Sequence, residues 1–358
     1  MRLNRDTFVT DILKLIAPGT PIREGLDNIL KAKTGALIVI GDSKEVLDIV
    51  DGGFSINEDY TSSRLYELAK MDGAIVLSKD LKQILYANAQ LIPNANIATR
   101  ETGTRHRTAE RTAKQTKELV ISISQRRNII TVFKGEFRYV IEDTAKILAK
   151  ANQALQTVEK YKKVFDGKLN ILNEYEFNDI VTLDNVITAI QRAEMVMKMV
   201  EEVQRSIYEL GEEGRLVQMQ LDELVGDLEK EETLIIKDYM VQARKKTPEK
   251  LLNEIINLEY EDLMNSQRIA KILGYEIFDN YEEVGVYTKG YRILNKIPRM
   301  PINIVENLIK KFKSLQHIIS ADIPELDEVD GIGEVRARTI KQSLKRMQEQ
   351  FVFDNVML

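Results

Sequence analysis

Short runs of aliphatic and β-branched residues crowd the first 141 positions of this 358-residue chain, and beyond them apolar residues recur at three- and four-residue steps. That change of period divides the fold. Ala36-Leu37-Ile38-Val39-Ile40 has no polar position, which suits a strand buried on both faces. Val46-Leu47-Asp48-Ile49-Val50 before Asp51-Gly52-Gly53, Ala74-Ile75-Val76-Leu77-Ser78, a run at 84–87 and Leu119-Val120-Ile121-Ser122-Ile123-Ser124 read as further strands. Residues 128–134 and 137–141 form a hairpin joined at Gly135-Glu136. Helices are expected over residues 1–17 (Phe8, Ile12, Leu15 and Ile16 on one face, stopped by Pro18-Gly19), 22–32, 64–70 behind Thr61-Ser62-Ser63, and 105–116. Residues 1–145 therefore read as a compact mixed-sheet α/β domain with six or so strands.

From 146 to about 285 the pattern is all-α. Val186, Ile190, Ala193, Met197, Val200, Val203, Ile207 and Leu210 mark one helical face. Gly211-Glu212-Glu213-Gly214 interrupts it, and Val217, Leu221, Leu224 and Leu228 resume it. This is a helical spacer with Glu-rich solvated faces at 201–213 and 227–232.

Residues 286–358 repeat internally. Leu294, Ile297 and Leu308 match Leu326, Val329 and Ile340 at one fixed offset, and each unit reads helix, tight apolar hairpin, helix. In the second unit Gly331-Ile332-Gly333 leaves bare backbone N–H groups at a helix start, where a DNA phosphate can bind. No strand precedes it and a third glycine is missing, so it is not a dinucleotide-binding loop. The first hairpin, Ile297-Pro298-Arg299-Met300-Pro301, lacks both glycines.

Composition narrows the chemistry. There is no cysteine, hence no disulfide and no thiolate metal site. No apolar run reaches the roughly 20 residues that cross a bilayer, and Met1-Arg2-Leu3-Asn4-Arg5-Asp6 lacks a signal-peptide core, so a cytoplasmic protein is expected. The net charge of −5 is unevenly spread: residues 286–358 hold 12 Lys/Arg against 9 Asp/Glu, and residues 99–127 hold 8 against 3. Two basic zones are thus set in an acidic molecule.

The first zone contains Gly103-Thr104-Arg105-His106-Arg107-Thr108, opening a helix. Free N–H groups and guanidinium forks at a helix start suit phosphate oxygens. About thirty residues upstream, Asp72 on the turn Met71-Asp72-Gly73-Ala74 suits a divalent cation. On spacing alone the basic triplet is equally a solvated turn. No P-loop is present, and no paired carboxylates suggest a two-metal site. His317, the second of the two histidines, reads as an ordinary helix residue.

Asp72-Gly73-Ala74 followed by an apolar strand, with Gly103-Thr104-Arg105-His106-Arg107-Thr108-Ala109 beyond it, resembles the diadenylate cyclase family. Leu-x-x-Val-x-Gly-Ile-Gly-x-x-x-Ala at 326–337 resembles the helix-hairpin-helix family of DNA-binding modules. Resemblance implies an α/β nucleotide-binding cyclase domain (1–145), an all-α spacer (146–285) and an all-α tandem helix-hairpin-helix domain (286–358). It further implies that two ATP condense into cyclic di-AMP between face-to-face protomers. Asp72 would bind Mg²⁺ or Mn²⁺, and Gly73 would allow close nucleotide approach. Thr104, Arg105, His106, Arg107 and Thr108 would hold the triphosphate, Leu91 would pack on adenine, and Ser124 would lie near the phosphates. Gly331, Ile332 and Gly333, with Arg336, Arg338 and Lys341, would contact branched or junction DNA, regulating synthesis in a DNA-damage response near the nucleoid. The implied assembly is an octamer of two head-to-head tetramers. Two other readings of the residues stay open: a DNA-binding structural protein whose first domain senses ATP, and a nucleotidyltransferase that adenylylates a protein.

Overall fold

The computed structural model describes residues 7–241, 246–276 and 283–354, so the first six residues of the helix expected over 1–17 lie outside it. The chain divides into two compact units, residues 1–152 with 204–218, and residues 153–203 with 219–358.

In the first unit α1 (Thr7–Leu15) and α2 (Pro21–Lys31) precede β1 (Ala36–Ile40). Then come α3 (Lys44–Leu47), β2 (Val50–Asp51), β3 (Phe54–Asp59), α4 (Ser62–Leu68), β4 (Ala74–Leu77) and β5 (Gln83–Leu91). The unit continues with α5 (Thr104–Thr116), β6 (Leu119–Ser124), β7 (Ile129–Lys134) and β8 (Phe137–Ile141). The eight strands make one sheet in the order β2-β5-β4-β1-β6-β7-β8, with β3 also paired to β5. β1 and β4 are parallel, and the remaining pairs are antiparallel.

Side chains alternate across the sheet, so β1 serves two cores. Ala36, Ile38 and Ile40 join Ile12, Ile22, Leu26 and Leu65 of the flanking helices on one face. Leu37 and Val39 join Val46, Ala109 and Ala113 on the other. The all-apolar run follows from burial on both sides, and the second core seats α5.

Two local expectations change. Residues 44–47 form a single helical turn after Ser43 that places Val46 in the second core, and only Val50–Asp51 is extended. The strand β3 is not among the expected elements: Phe54-Ser55-Ile56-Asn57-Glu58-Asp59 is largely exposed, and its apolar alternation is limited to Phe54 and Ile56. Residues 204–218, expected within the spacer, pack with the first unit: the Lys14 ammonium stands 4.6 Å from the centre of the Tyr208 ring. Gly211 is held at φ +56°, where a Cβ would meet the Pro18 carbonyl oxygen at 2.6 Å. The glycine that interrupts the stripe therefore admits a close backbone approach.

The second unit takes up most of α6 (Thr144–Asn178) and α7 (Leu183–Leu210), part of α8 (Arg215–Val225), and then α9 (Leu228–Tyr239), α10 (Pro248–Ile256), α11 (Tyr260–Met264) and α12 (Ser266–Leu273). Its last part holds α13 (Tyr291–Asn295), α14 (Ile302–Phe312), α15 (Leu315–Ser320), α16 (Ile323–Asp327) and α17 (Glu334–Asp354). The internal repeat is real at the level of backbone. Arg299 in the α13–α14 turn and Gly331 in the α16–α17 turn both take positive φ, +58° and +83°. Leu294, Ile297 and Leu308 share one core with Leu326, Val329 and Ile340.

Buried charge fastens α13 to its neighbours. The Asp238 carboxylate of α9 accepts from the N–H groups of Gly290, Tyr291 and Arg292 at 2.7–2.9 Å. The fully buried Arg292 guanidinium pairs with Glu176 and Asn173 of α6. Burial, reinforced by Glu176, pushes the Asp238 carboxyl up to about 7. Such a group is costly to bury and costlier to break, since removing one partner strands the others.

Candidate functional site

The residues expected to hold the nucleotide lie along the edge that the ends of the interior strands β5, β4, β1 and β6 form. Leu37 pairs with Ala74, so the entries to β1 and β4, Gly35 and Asp72-Gly73, lie side by side. Ala36 pairs with Ile123, which brings Ser124, the last residue of β6, to the same edge. Ala74 pairs with Ala89, so the end of β5 at Leu91 is there as well. Gly73 has φ +92°, and a Cβ on it would meet the Asn88 carbonyl carbon at 2.8 Å and the Ala89 carbonyl oxygen at 2.9 Å. Gly73 is thus a steric requirement of the β4–β5 contact, and Asp72 beside it is exposed at the edge.

Helix α5 starts over this edge with Gly103 as its N-cap, and that cap makes no side-chain hydrogen bond. Ala109 and Ala113 seat the helix on the sheet. Consecutive helical residues lie about 100° apart. With the His106 ring turned toward the sheet, Arg105 and Arg107 flank it on either side. His106 Nδ1 is 3.2 Å from the Ser122 hydroxyl, and its ring meets Phe133 edge to face at 6.4 Å. Its Nε2 is buried without a partner. Burial, with the charges of Arg127 and Arg105, holds the imidazole below its ordinary 6.5 against the opposing pull of Glu101. Among the described residues the guanidinium groups of Arg105 and Arg107 have no hydrogen-bond or ion-pair partner. Thr104 is exposed and Thr108 half-buried on the same turn.

Cations elsewhere on α5 are committed to structure. Arg111 Nε donates to the Ile97 carbonyl at 3.0 Å, and Lys114 Nζ to the Ala98 carbonyl at 3.1 Å. The buried Glu110 accepts from the Thr99 hydroxyl and the Arg100 N–H. Burial alone would raise the Glu110 carboxyl, but the donors from Thr99, Lys114 and Arg100 outweigh it and hold it low. These bonds pin the loop that feeds Gly103, a role no sequence pattern announced. Leu91, by contrast, is 7 % exposed and packs in the second core opposite Val50. Ser124 caps the turn after β6, accepting from the Arg127 N–H at 3.2 Å.

In the second unit Gly331 is needed twice over: its φ is positive, and a Cβ would sit 2.4 Å from Ile304 Cδ1. Gly333 faces open space, and the Ile332 side chain is buried, so only its backbone can reach a ligand. The Arg336 guanidinium donates to the Gly331 carbonyl, closing the hairpin. Arg338 pairs with Glu334 on the exposed face. Lys341 caps α15 through the carbonyls of Ile319 and Ala321. Residues 297–300 of the first hairpin, with Gly333 and the first turns of α17 (334–336 and Thr339), line a groove of about 750 Å³.

The depressed His106 gives a measurable pH signature. As pH falls below 6.5 the unfolded chain takes up this proton before the folded one, so the stability that His106 contributes is present above 6.5 and is lost on acidification. Stability measured by urea unfolding between pH 5 and 7 rises with pH less steeply in His106→Asn than in the wild type; equal slopes would contradict the assignment.

Two family models match. Residues 23–137 match the DisA bacterial checkpoint controller nucleotide-binding family, and residues 141–281 match the DisA bacterial checkpoint controller linker region. The DNA integrity scanning protein DisA of Acetivibrio thermocellus is 55% identical over 351 residues, which cover 98% of this chain and 97% of that protein. Its counterpart in Clostridium botulinum strain Eklund 17B is 55% identical over 354 residues, covering 99% of each chain. The residues 23–137 that match the nucleotide-binding model include β1, β4, β5, α5 and β6, whose ends build the edge described above. No described helix is long and apolar enough to cross a membrane. The chain belongs to the DisA family of bacterial checkpoint controllers and is a diadenylate cyclase.

Proposed function

We propose that each protomer holds one ATP at the edge formed by Asp72, Gly73, Ser124 and the first turn of α5, and that two protomers meet face to face to join their nucleotides. The observation that supports this most is the pair of unpaired guanidinium forks, Arg105 and Arg107, over the strand entries that carry Asp72. Each ribose 3′-oxygen attacks the α-phosphorus of the opposite nucleotide and passes its proton to water. The bond to the β-phosphate oxygen breaks, and pyrophosphate departs with the electron pair. Two such steps give the two-fold product, so the centre is complete only when two sites oppose.

Thr104, Arg105, His106, Arg107 and Thr108 make up the turn that receives the triphosphate, and its N–H groups and charges neutralise the leaving group. Gly73 allows close approach of the nucleotide, Ser124 lies beside the phosphates, and Leu91 offers its exposed margin to the base. Among the described residues no three potential metal-ligating side chains come together. A lone exposed carboxylate fits a Mg²⁺ or Mn²⁺ that completes its coordination with phosphate oxygens and water, and Asp72 would hold it. An ion held there would supply charge neutralisation and would lower the pKa of the attacking hydroxyl.

The domain division at 145 and 285 serves this reading. The tandem hairpins of 286–358 bind the backbone of branched or junction DNA through the N–H groups at Gly331, Ile332 and Gly333. Arg336, Lys341 and Arg338 support them, the first two by bracing the hairpin and α15. DNA occupancy regulates synthesis in a DNA-damage response of a homo-oligomeric protein, an octamer of two head-to-head tetramers.

Asp72→Asn is expected to abolish cyclic di-AMP formation without changing the unfolding midpoint, and Arg105→Ala to slow it about 10²–10³-fold. Labelled ATP resolved by chromatography reads both, and near-normal product from either would refute the assignments. For the tail, Arg338→Ala should make the log–log salt dependence of junction-DNA binding by the full chain shallower by about 1. An unchanged slope would remove that arginine from the interface.

A further inference from the structure

We propose that Ser122 and Gly35 are positioning residues for the cyclase reaction, setting the aim of the α5 cations through His106 and Arg105. The proposal rests on the first turn of α5 being the triphosphate seat.

Ser122 lies in the middle of β6, fully buried, in a strand whose other inward positions are apolar. Leu119, Ile121 and Ile123 face the first core, so Val120, Ser122 and Ser124 share the face beneath α5. A hydroxyl there is costly to bury unless it is bonded. Its cross-strand neighbour Thr131 is also fully buried, with a hydroxyl that has no partner. Ser122 instead has His106 Nδ1 at 3.2 Å. That contact, with Phe133 against the ring edge, fixes the rotation of the imidazole and hence of the helical turn that carries Arg105 and Arg107. His106 Nε2 stays buried. The working atom of His106 is therefore Nδ1, braced on the sheet.

Gly35 acts on the neighbouring cation. A Cβ built on it would fall 2.0 Å from Arg105 Nη1 and 2.9 Å from Cζ. The guanidinium rests on the bare Cα of the residue that opens β1. Gly35 has no positive φ that would demand glycine, so the missing side chain answers to Arg105 rather than to the backbone. The two nearest obstructing atoms belong to the far end of a flexible side chain, and the Ile123 carbonyl oxygen, 3.2 Å away, need give by only a few tenths of an ångström. Gly35→Ala thus leaves the strand in place and turns the guanidinium aside.

Misplacing a reacting group by about 1 Å costs on the order of 10²-fold in rate. Ser122→Ala and Gly35→Ala should each lower kcat by about 10–100-fold, with KM for ATP changed far less and the thermal midpoint kept. Asparagine places its amide near the position of Nδ1, whereas glutamine reaches toward Nε2. His106→Asn should therefore retain more activity than His106→Gln, and Ser122→Ala should add little to the loss already present in His106→Gln. Likewise Gly35→Ala should cost nothing further in an Arg105→Ala background. The proposal fails if the single variants turn over at the wild-type rate, if their losses multiply in the double variants, or if glutamine substitutes better than asparagine. If Arg105→Ala itself keeps full activity, the triphosphate seat is wrong and this proposal falls with it; failure of the Ser122 and Gly35 arms alone leaves that seat standing.

Discussion

Everything at the site depends on how α5 is laid across the sheet. Ala109 and Ala113 are small, buried residues that seat the helix against β6 and β7. That placement aligns the unsatisfied N–H groups of the helix start with Gly35, Asp72-Gly73 and Ser124. Both partial positive charge from the helix and full charge from Arg105 and Arg107 then point at one edge. The apolar cores on the two faces supply the rigidity, and the polar bonds from Glu110, Arg111 and Lys114 fix the loop that delivers the chain to Gly103.

The three consecutive cation-capable residues divide their work by helical geometry. His106 faces inward and is kept neutral by burial, which removes it as a competing charge between two arginines. Among the described residues the two guanidinium groups have no hydrogen-bond or ion-pair partner, Arg107 being exposed and Arg105 lying against Gly35. For the proposed phosphate seat, a neutral prop between two arginines is better suited than three crowded cations, because mutual repulsion is lower.

Much of this was legible in the residues. The strand at 36–40 and the hairpin at 128–141 follow from local pattern, and the helices expected at 22–32 and 64–70 form at Pro21–Lys31 and Ser62–Leu68, while Asp72-Gly73 and the triplet at 105–107 are the residues on which the proposed site is built. The 32-residue offset in the tail reappears as Arg299 and Gly331 sharing one backbone conformation. What stayed hidden depends on distant partners. β3 is exposed and polar, and residues 44–47 turn helical to bury one valine. Ser122 could have been suspected as a hydroxyl in an otherwise apolar strand, but its partner lies on another element. Gly35 directly precedes β1, and the guanidinium that lies against its bare Cα comes from another element. Arg292, Glu176 and Asp238 are buried only because three separate helices meet, and no local window contains them together.

The central claim is that one chain carries half a reaction centre. Its most direct test is the rate of cyclic di-AMP synthesis per chain as total protein is diluted, with the oligomeric state followed by light scattering. If two sites must oppose, the rate per chain falls in step with the loss of assembled protomers and vanishes for the monomer. A rate per chain that stays constant where scattering shows monomers alone would contradict the account.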